Sequence, residues 1–291
     1  MTRKTSVTHK KWLEKHGRWV AFVPRSKMAR TLEEGRRRAV APEKCVSVPA
    51  TTLPVDCTGN ATVSCPIDGN QTLGDCGPVM CAHVDNIRTY GQGKPGFVEL
   101  DVDVAALEAQ YEQVSGGDNG TTEDMLVGSG GIWVQGGPGI ANDATATVED
   151  HLDFDVTNAP LAQYMIDQFY AVCVAWSVPD AFLNEFALGA SFLSAMTPDP
   201  NNGHFTPLAD VDASGNYRLW TWGAWCWVSP AFVASVQPQS FATFSALQFS
   251  AANGLDSHGR HVSDQAAAWV SLGGDSSKTA AVVALFPPKA A

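Results

Sequence analysis

The sequence predicts an α+β fold, and three observations carry that reading. Apolar residues after Cys76 recur at three- and four-residue steps, as on one face of a helix. Two strand-type runs flank the polar turn Asp212-Ala213-Ser214-Gly215. Elsewhere helical stretches at 104–114 and 160–170 lead into short apolar runs such as Ala171 to Trp176, so neither element type dominates.

The basic start of the chain contrasts with everything after it. Residues 1–39 hold twelve Lys or Arg against three Glu, a net of +9, whereas the remainder holds seven basic and 27 acidic residues, a net of −20. Residues 1–45 therefore read as a basic N-terminal arm, which expects a protein assembly as its partner. Nucleic acid is the less favoured target, because Trp12, Trp19, Val20, Phe22 and Val23 suit packing against protein. No apolar run approaches the roughly 18–20 residues of a membrane span, and no secretory signal pattern follows the basic start. The expected setting is cytoplasmic or associated with a particle, without membrane contact.

Residues 40–66, with Pro42, Pro49, Pro54 and Pro66, read as an extended wrapping segment. Seven cysteines leave at least one unpaired; Cys57 and Cys65 bracket a turn and suit a bridge only in an oxidising setting. Cys76 follows the polar turn Asn70-Gln71-Thr72-Leu73-Gly74-Asp75 and opens the helix marked by Val79, Met80, His83, Val84, Ile87 and Tyr90. Unpaired N–H groups at a helix start favour a thiolate, so Cys76 is the candidate nucleophile.

Val104, Leu107, Tyr111 and Val114 mark a second helix, and Thr121 or Thr122 caps a short third one through Leu126. Glycines from 128 to 139 surround Ile132-Trp133-Val134, read as a strand between turns. No Gly-Lys-Ser/Thr follows, so no phosphate loop is expected. Neither cofactor nor metal is expected: Cys76 with Cys81 is poor zinc spacing, and His258 and His261 read as surface loop histidines. Cys173 falls in an apolar run and reads as core. The segment Phe182, Phe186, Leu188, Phe192 and Leu193 reads as cleft lining or as core.

His204 opens a strand behind Gly203, and a second strand ends in Thr221-Trp222-Gly223. Trp220, Trp222, Trp225 and Trp227 alternate as if along one strand, a row suited to stacking on sugars or to a packed wall. Beyond Pro230, a helix near 264–272 and a strand at 282–286 complete the reading.

A helix-borne cysteine facing a strand-borne histidine resembles the papain-like cysteine peptidases. That resemblance places Cys76 as nucleophile and His204 as base, with Asn70 in the oxyanion position six residues before the cysteine and Gly74 two before it. Gln71 is the alternative oxyanion donor. Trp222, eighteen residues after His204, matches the tryptophan of the family's Asn-Ser-Trp-Gly signature. Trp220 occupies the place of the asparagine that orients the histidine, which leaves Asp210, Asp212 or Thr221 as replacements. The stretch from Gly69 to Cys76, the segment Asp118 to Leu126, Gly203-His204 and Thr221-Trp222-Gly223 are similar to a group of phage and actinobacterial papain-like proteins.

The resemblance implies a papain-like domain over 46–235, a helix bearing Cys76 packed on an antiparallel sheet bearing His204, and a C-terminal extension over 236–291. It implies a thiol hydrolase of a peptide or amide bond, for instance in cell-wall peptidoglycan. The alternatives are a structural or decoration protein of a phage virion or similar assembly, and a binding module using the tryptophan row.

Overall fold

A computed structural model of the chain describes residues 48–57, 73–89, 100–117, 121–136, 147–187, 192–199, 202–236 and 238–289. The basic arm, Cys45, Cys65, Asn70, Gln71 and the segment Asp118 to Gly120 lie outside the described residues.

The first helix of the described chain, α1 (Cys76–Thr89), is buried at every position. Such a helix runs through the interior, so its polar side chains need partners there. Pro78 falls in its first turn, where a missing N–H removes no intrahelical bond. Asn86 accepts from the Leu100 amide at 2.8 Å, and the Thr89 hydroxyl donates to the Asp85 carbonyl at 3.0 Å.

Helix α2 (Val104–Ser115) starts on an Asp103 cap and ends at Gly116, whose φ of 67° is the left-handed conformation glycine favours. Thr122 caps α3 (Glu123–Val127) by accepting from the Met125 amide at 3.4 Å. Ile132-Trp133-Val134, expected as a strand, is instead the one-turn helix α4 (Ile132–Gln135). A three-residue apolar run has no distinguishing period. Here the helical turn carries the Trp133 indole N–H to Asp85 Oδ2 at 2.8 Å.

Among the described residues seven strands follow: β1 (Asp150–Phe154), β2 (Val172–Ser177), β3 (Phe192–Leu193), β4 (Gly203–Val211), β5 (Tyr217–Thr221), β6 (Ala224–Val228) and β7 (Gln239–Phe244). They form one sheet in the order β1-β7-β2-β4-β5-β6-β3, antiparallel except for the β3–β6 pair. All nine residues of β4 are buried, and α1 packs against this strand.

The tryptophan row does not share one strand. Thr221 pairs with Ala224 and Trp220 with Trp225, so Trp222-Gly223 is a two-residue hairpin turn, with φ of 42° and 75°. Such turns need positive φ at both central residues, which tryptophan adopts at a cost of about 1–2 kcal/mol. That strain sits next to the candidate site.

Helix α5 (Ala159–Phe169) leads into β2, in which Cys173 is fully buried. Helix α6 (Asp180–Ala187) follows β2, and α7 (Pro230–Ser235) follows β6. Residues 236–291 supply β7, between β1 and β2, together with α8 (Val262–Leu272) and α9 (Ser276–Val283). The strand expected at 282–286 is therefore absent: Asp275 caps α9 by accepting from the Ser277 and Lys278 amides. His261, expected on the surface, is the buried N-cap of α8, with Nε2 3.1 Å from the Pro287 carbonyl.

Candidate active site

Cys76 is the first residue of α1, and β4 crosses its N-terminus. The Phe205 amide donates to Cys76 Sγ at 3.4 Å, which fixes the sulfur beside the start of β4, where His204 stands. His204 Nε2 lies 2.6 Å from Thr221 Oγ1 at the end of β5. Trp222 stacks over the imidazole with ring centroids 4.3 Å apart and planes 16° apart. Its left-handed backbone delivers the indole there, and Phe182 and Phe186 of α6 support it edge-on at 5.7 and 5.6 Å.

The structure thus brings together Cys76, His204, Thr221 and Trp222. Of the three candidates for orienting the histidine, Thr221 alone touches it among the contacts described. Asp210 accepts from the Cys57 amide and from Arg218, and Asp212 accepts from the Ser214 and Asn216 amides within its turn. Trp220 points to the other side of β5, as strand alternation requires, and stacks on His83 of α1 at 3.9 Å. The Cys57 thiol donates to the Ile166 carbonyl at 3.3 Å. Asn70 and Gln71 fall outside the described residues.

Two contributors were not read from the sequence. A Cβ on Gly77 would meet Thr121 Cγ2 at 2.7 Å, so glycine after the cysteine lets α1 seat against that threonine. Asp75 is fully buried directly before Cys76, and its charge opposes ionisation of the thiol. The Gly74-Asp75-Cys76-Gly77 run is the signal that held both.

Burial decides the protonation of the pair. It pushes the Cys76 thiol up to about 12, against the lowering effect of the Phe205 amide. Burial, reinforced by the nearby His83, pushes His204 down to about 3. The thiolate expected from the helix start is therefore overridden. A helix end is worth about 0.3–1 kcal/mol, less than one pKa unit, whereas full burial moves a group by roughly 3–5 units. Both groups are neutral at pH 7 in this closed arrangement.

Among the described residues, metal-ligating side chains converge in one group, Glu123, His151 and Asp153. No described helix is long and apolar enough to cross a membrane.

No family model matches the sequence, and no curated protein matches it significantly. Solved structures do match. Xylellain, a cysteine protease from Xylella fastidiosa, aligns with a TM-score of 0.50 at 9% identity, over 78% of this chain and 96% of that one. A structure reported for the mite allergens Blo t 1 and Der p 1 aligns with a TM-score of 0.51 at 14% identity, over 84% and 96%. The fold is papain-like. In this papain-like fold the hydroxyl of Thr221 contacts the histidine from the strand end that precedes Trp222.

Proposed function

We propose that the chain is a thiol hydrolase of peptide or amide bonds. The observation that carries the reading is the set Cys76 Sγ at the Phe205 amide, His204 Nε2 at Thr221 Oγ1, and Trp222 over the ring. This reading assigns His204 the tautomer whose Nε2–H donates to Thr221 Oγ1, which leaves proton exchange with the thiol to Nδ1. Because the resting pair is neutral, attack and deprotonation are coupled. As the Cys76 S–C bond forms, the thiol proton moves to His204, and the imidazolium then protonates the departing amine as the C–N bond breaks. Water, deprotonated by His204, hydrolyses the thioester and returns the thiol.

The Cys76 amide with Asn70 or Gln71 is the proposed oxyanion site, whose loss typically costs about 10²–10³-fold in rate. The basic arm is proposed to hold the enzyme in a protein assembly.

The test is acyl-enzyme trapping with activated peptide esters, read by intact and peptide mass. A thioester on Cys76, absent in Cys76→Ala and hydrolysed on standing, supports the hydrolase. Acylation spread over several cysteines counts against it. The burial that keeps both partners neutral favours a second reading, a particle protein that retains the fold without the chemistry. In that case no cysteine is acylated, and the chain co-purifies with its assembly.

A further inference from the structure

The structure assigns a second, chemically different site to Glu123, His151 and Asp153, and we propose that it binds one divalent transition-metal cation of the zinc type. One ligand atom from each of these three residues lies within 4.8 Å of the other two. Two ligands about 2.1 Å from a common ion lie at most about 4.2 Å apart, so small side-chain rotations close the set.

Its members come from elements that the fold holds firmly. His151 and Asp153 alternate on β1 and share a face; opposite them in register stand Thr243 and Phe241 of β7. Thr243 accepts from Arg88 of α1, so this face looks toward the helical layer. There Glu123 opens α3, just past Thr121, the residue against which Gly77 seats. His151 is 2% exposed and Glu123 8%, while Asp153 is half-buried and leaves an approach from solvent.

The donor set selects the ion. One imidazole with two carboxylates is the nitrogen and oxygen set of zinc and its first-row neighbours, whereas calcium takes six to eight oxygens. One dication balances the two carboxylates, and a fourth position is left for water. The adjoining carboxylates have other partners. Glu149 accepts from the Ala246 amide and the Thr147 hydroxyl, and Asp150, on the opposite face, holds Trp269 Nε1, the Asp275 amide and Lys278. The ion would tie the sheet edge to the segment supporting the start of α1, without taking part in the Cys76 chemistry.

The experiment uses the full chain, stripped with chelator and titrated with Zn²⁺ by equilibrium dialysis and with Co²⁺ by absorption. The site predicts one ion per chain, Co²⁺ bands without a thiolate charge-transfer band, and a thermal midpoint that rises with free Zn²⁺. His151→Gln, Glu123→Gln and Asp153→Asn should each weaken binding beyond the roughly 10- to 100-fold that loss of an outer partner costs. Far-UV dichroism checks that each variant folds, and the wild-type Co²⁺ spectrum stands independently of them. The proposal is overturned by no saturable Zn²⁺ binding, by binding unchanged in all three variants, by a thiolate band that Cys76→Ala removes, or by Ca²⁺ binding more tightly than Zn²⁺. An imidazolium held between the two carboxylates would give the first of these outcomes.

Discussion

The two ends of α1 hold buried ionisable groups in opposite ways. At the C-terminal end, Asp85 and Arg88 form an ion pair at 3.4 Å with both side chains fully inaccessible. Trp133 also donates to Asp85, and Arg88 reaches the Thr243 carbonyl and hydroxyl at 2.7 and 2.5 Å. Burial raises Asp85 to about 7 and lowers Arg88, with each charge opposing the shift of the other. At the N-terminal end, Cys76 and His204 are equally buried, and burial drives both to their neutral forms. One end is a polar network whose members are held by several hydrogen bonds. The other holds the two groups proposed above to exchange a proton.

That contrast can be broken at either end. His204→Ala should slow acylation of Cys76 by about 10²–10⁴-fold, the usual worth of a positioned base, while costing less in urea unfolding than Arg88→Ala. Arg88→Ala should do the reverse. It strands the buried Asp85 carboxylate and should cost about 3–5 kcal/mol in urea unfolding. A stability loss with His204→Ala as large as with Arg88→Ala would erase the distinction.

Thr221→Val, which keeps the shape and removes the hydroxyl, should cut acylation by roughly 10- to 100-fold, the range of an orphaned buried hydrogen bond. Thr221→Ser should restore most of it. Equal rates for the valine and serine variants would show that the hydroxyl does not orient His204.

The smallest effect is on stability against pH. Because His204 titrates near 3 when folded against an ordinary 6.5, the unfolded chain binds the extra proton between those values. This group therefore makes stability rise with pH across that window and fall as the solution is acidified. His204→Gln should flatten that limb, visible as the difference between parent and variant unfolding free energies from pH 3 to 6.5. Asp85 contributes the opposite slope, since its raised pKa makes the folded state the tighter proton binder from 3.8 to about 7. It acts equally in both proteins and cancels in the difference.

Sequence periodicity carried the long elements. The helix from Cys76, the helix at 104–115, α5, β2 and the two strands flanking Asp212 to Gly215 are where spacing and turn chemistry place them. It failed where a run was too short to show a period, as at Ile132 to Val134, or where tertiary packing overrode local preference. Trp222 in a left-handed turn residue is such a case. Nothing in the local sequence announces a hairpin there, because the indole is held by His204, Phe182 and Phe186.

The placement of Cys76 at a helix start and of His204 at a strand start was legible in the sequence. Which of the three candidates touches His204 was not legible, because the alternation that points Trp220 at His83 and Thr221 at His204 depends on strand register. Protonation was misread, because burial is a property of the whole fold and outweighs the helix end.

The most direct test of the Cys76–His204 pair is the rate of peptidyl vinyl sulfone addition at each cysteine from pH 5 to 9, read by peptide mass spectrometry in parent and His204→Ala proteins. The account predicts that Cys76 reacts ahead of Cys57, Cys81, Cys173 and Cys226. It also predicts slow reaction below pH 6, with no plateau from a preformed ion pair, and a drop of at least about 10²-fold in His204→Ala. Reaction at Cys76 no faster than at Cys226, with no response to His204→Ala, would contradict it.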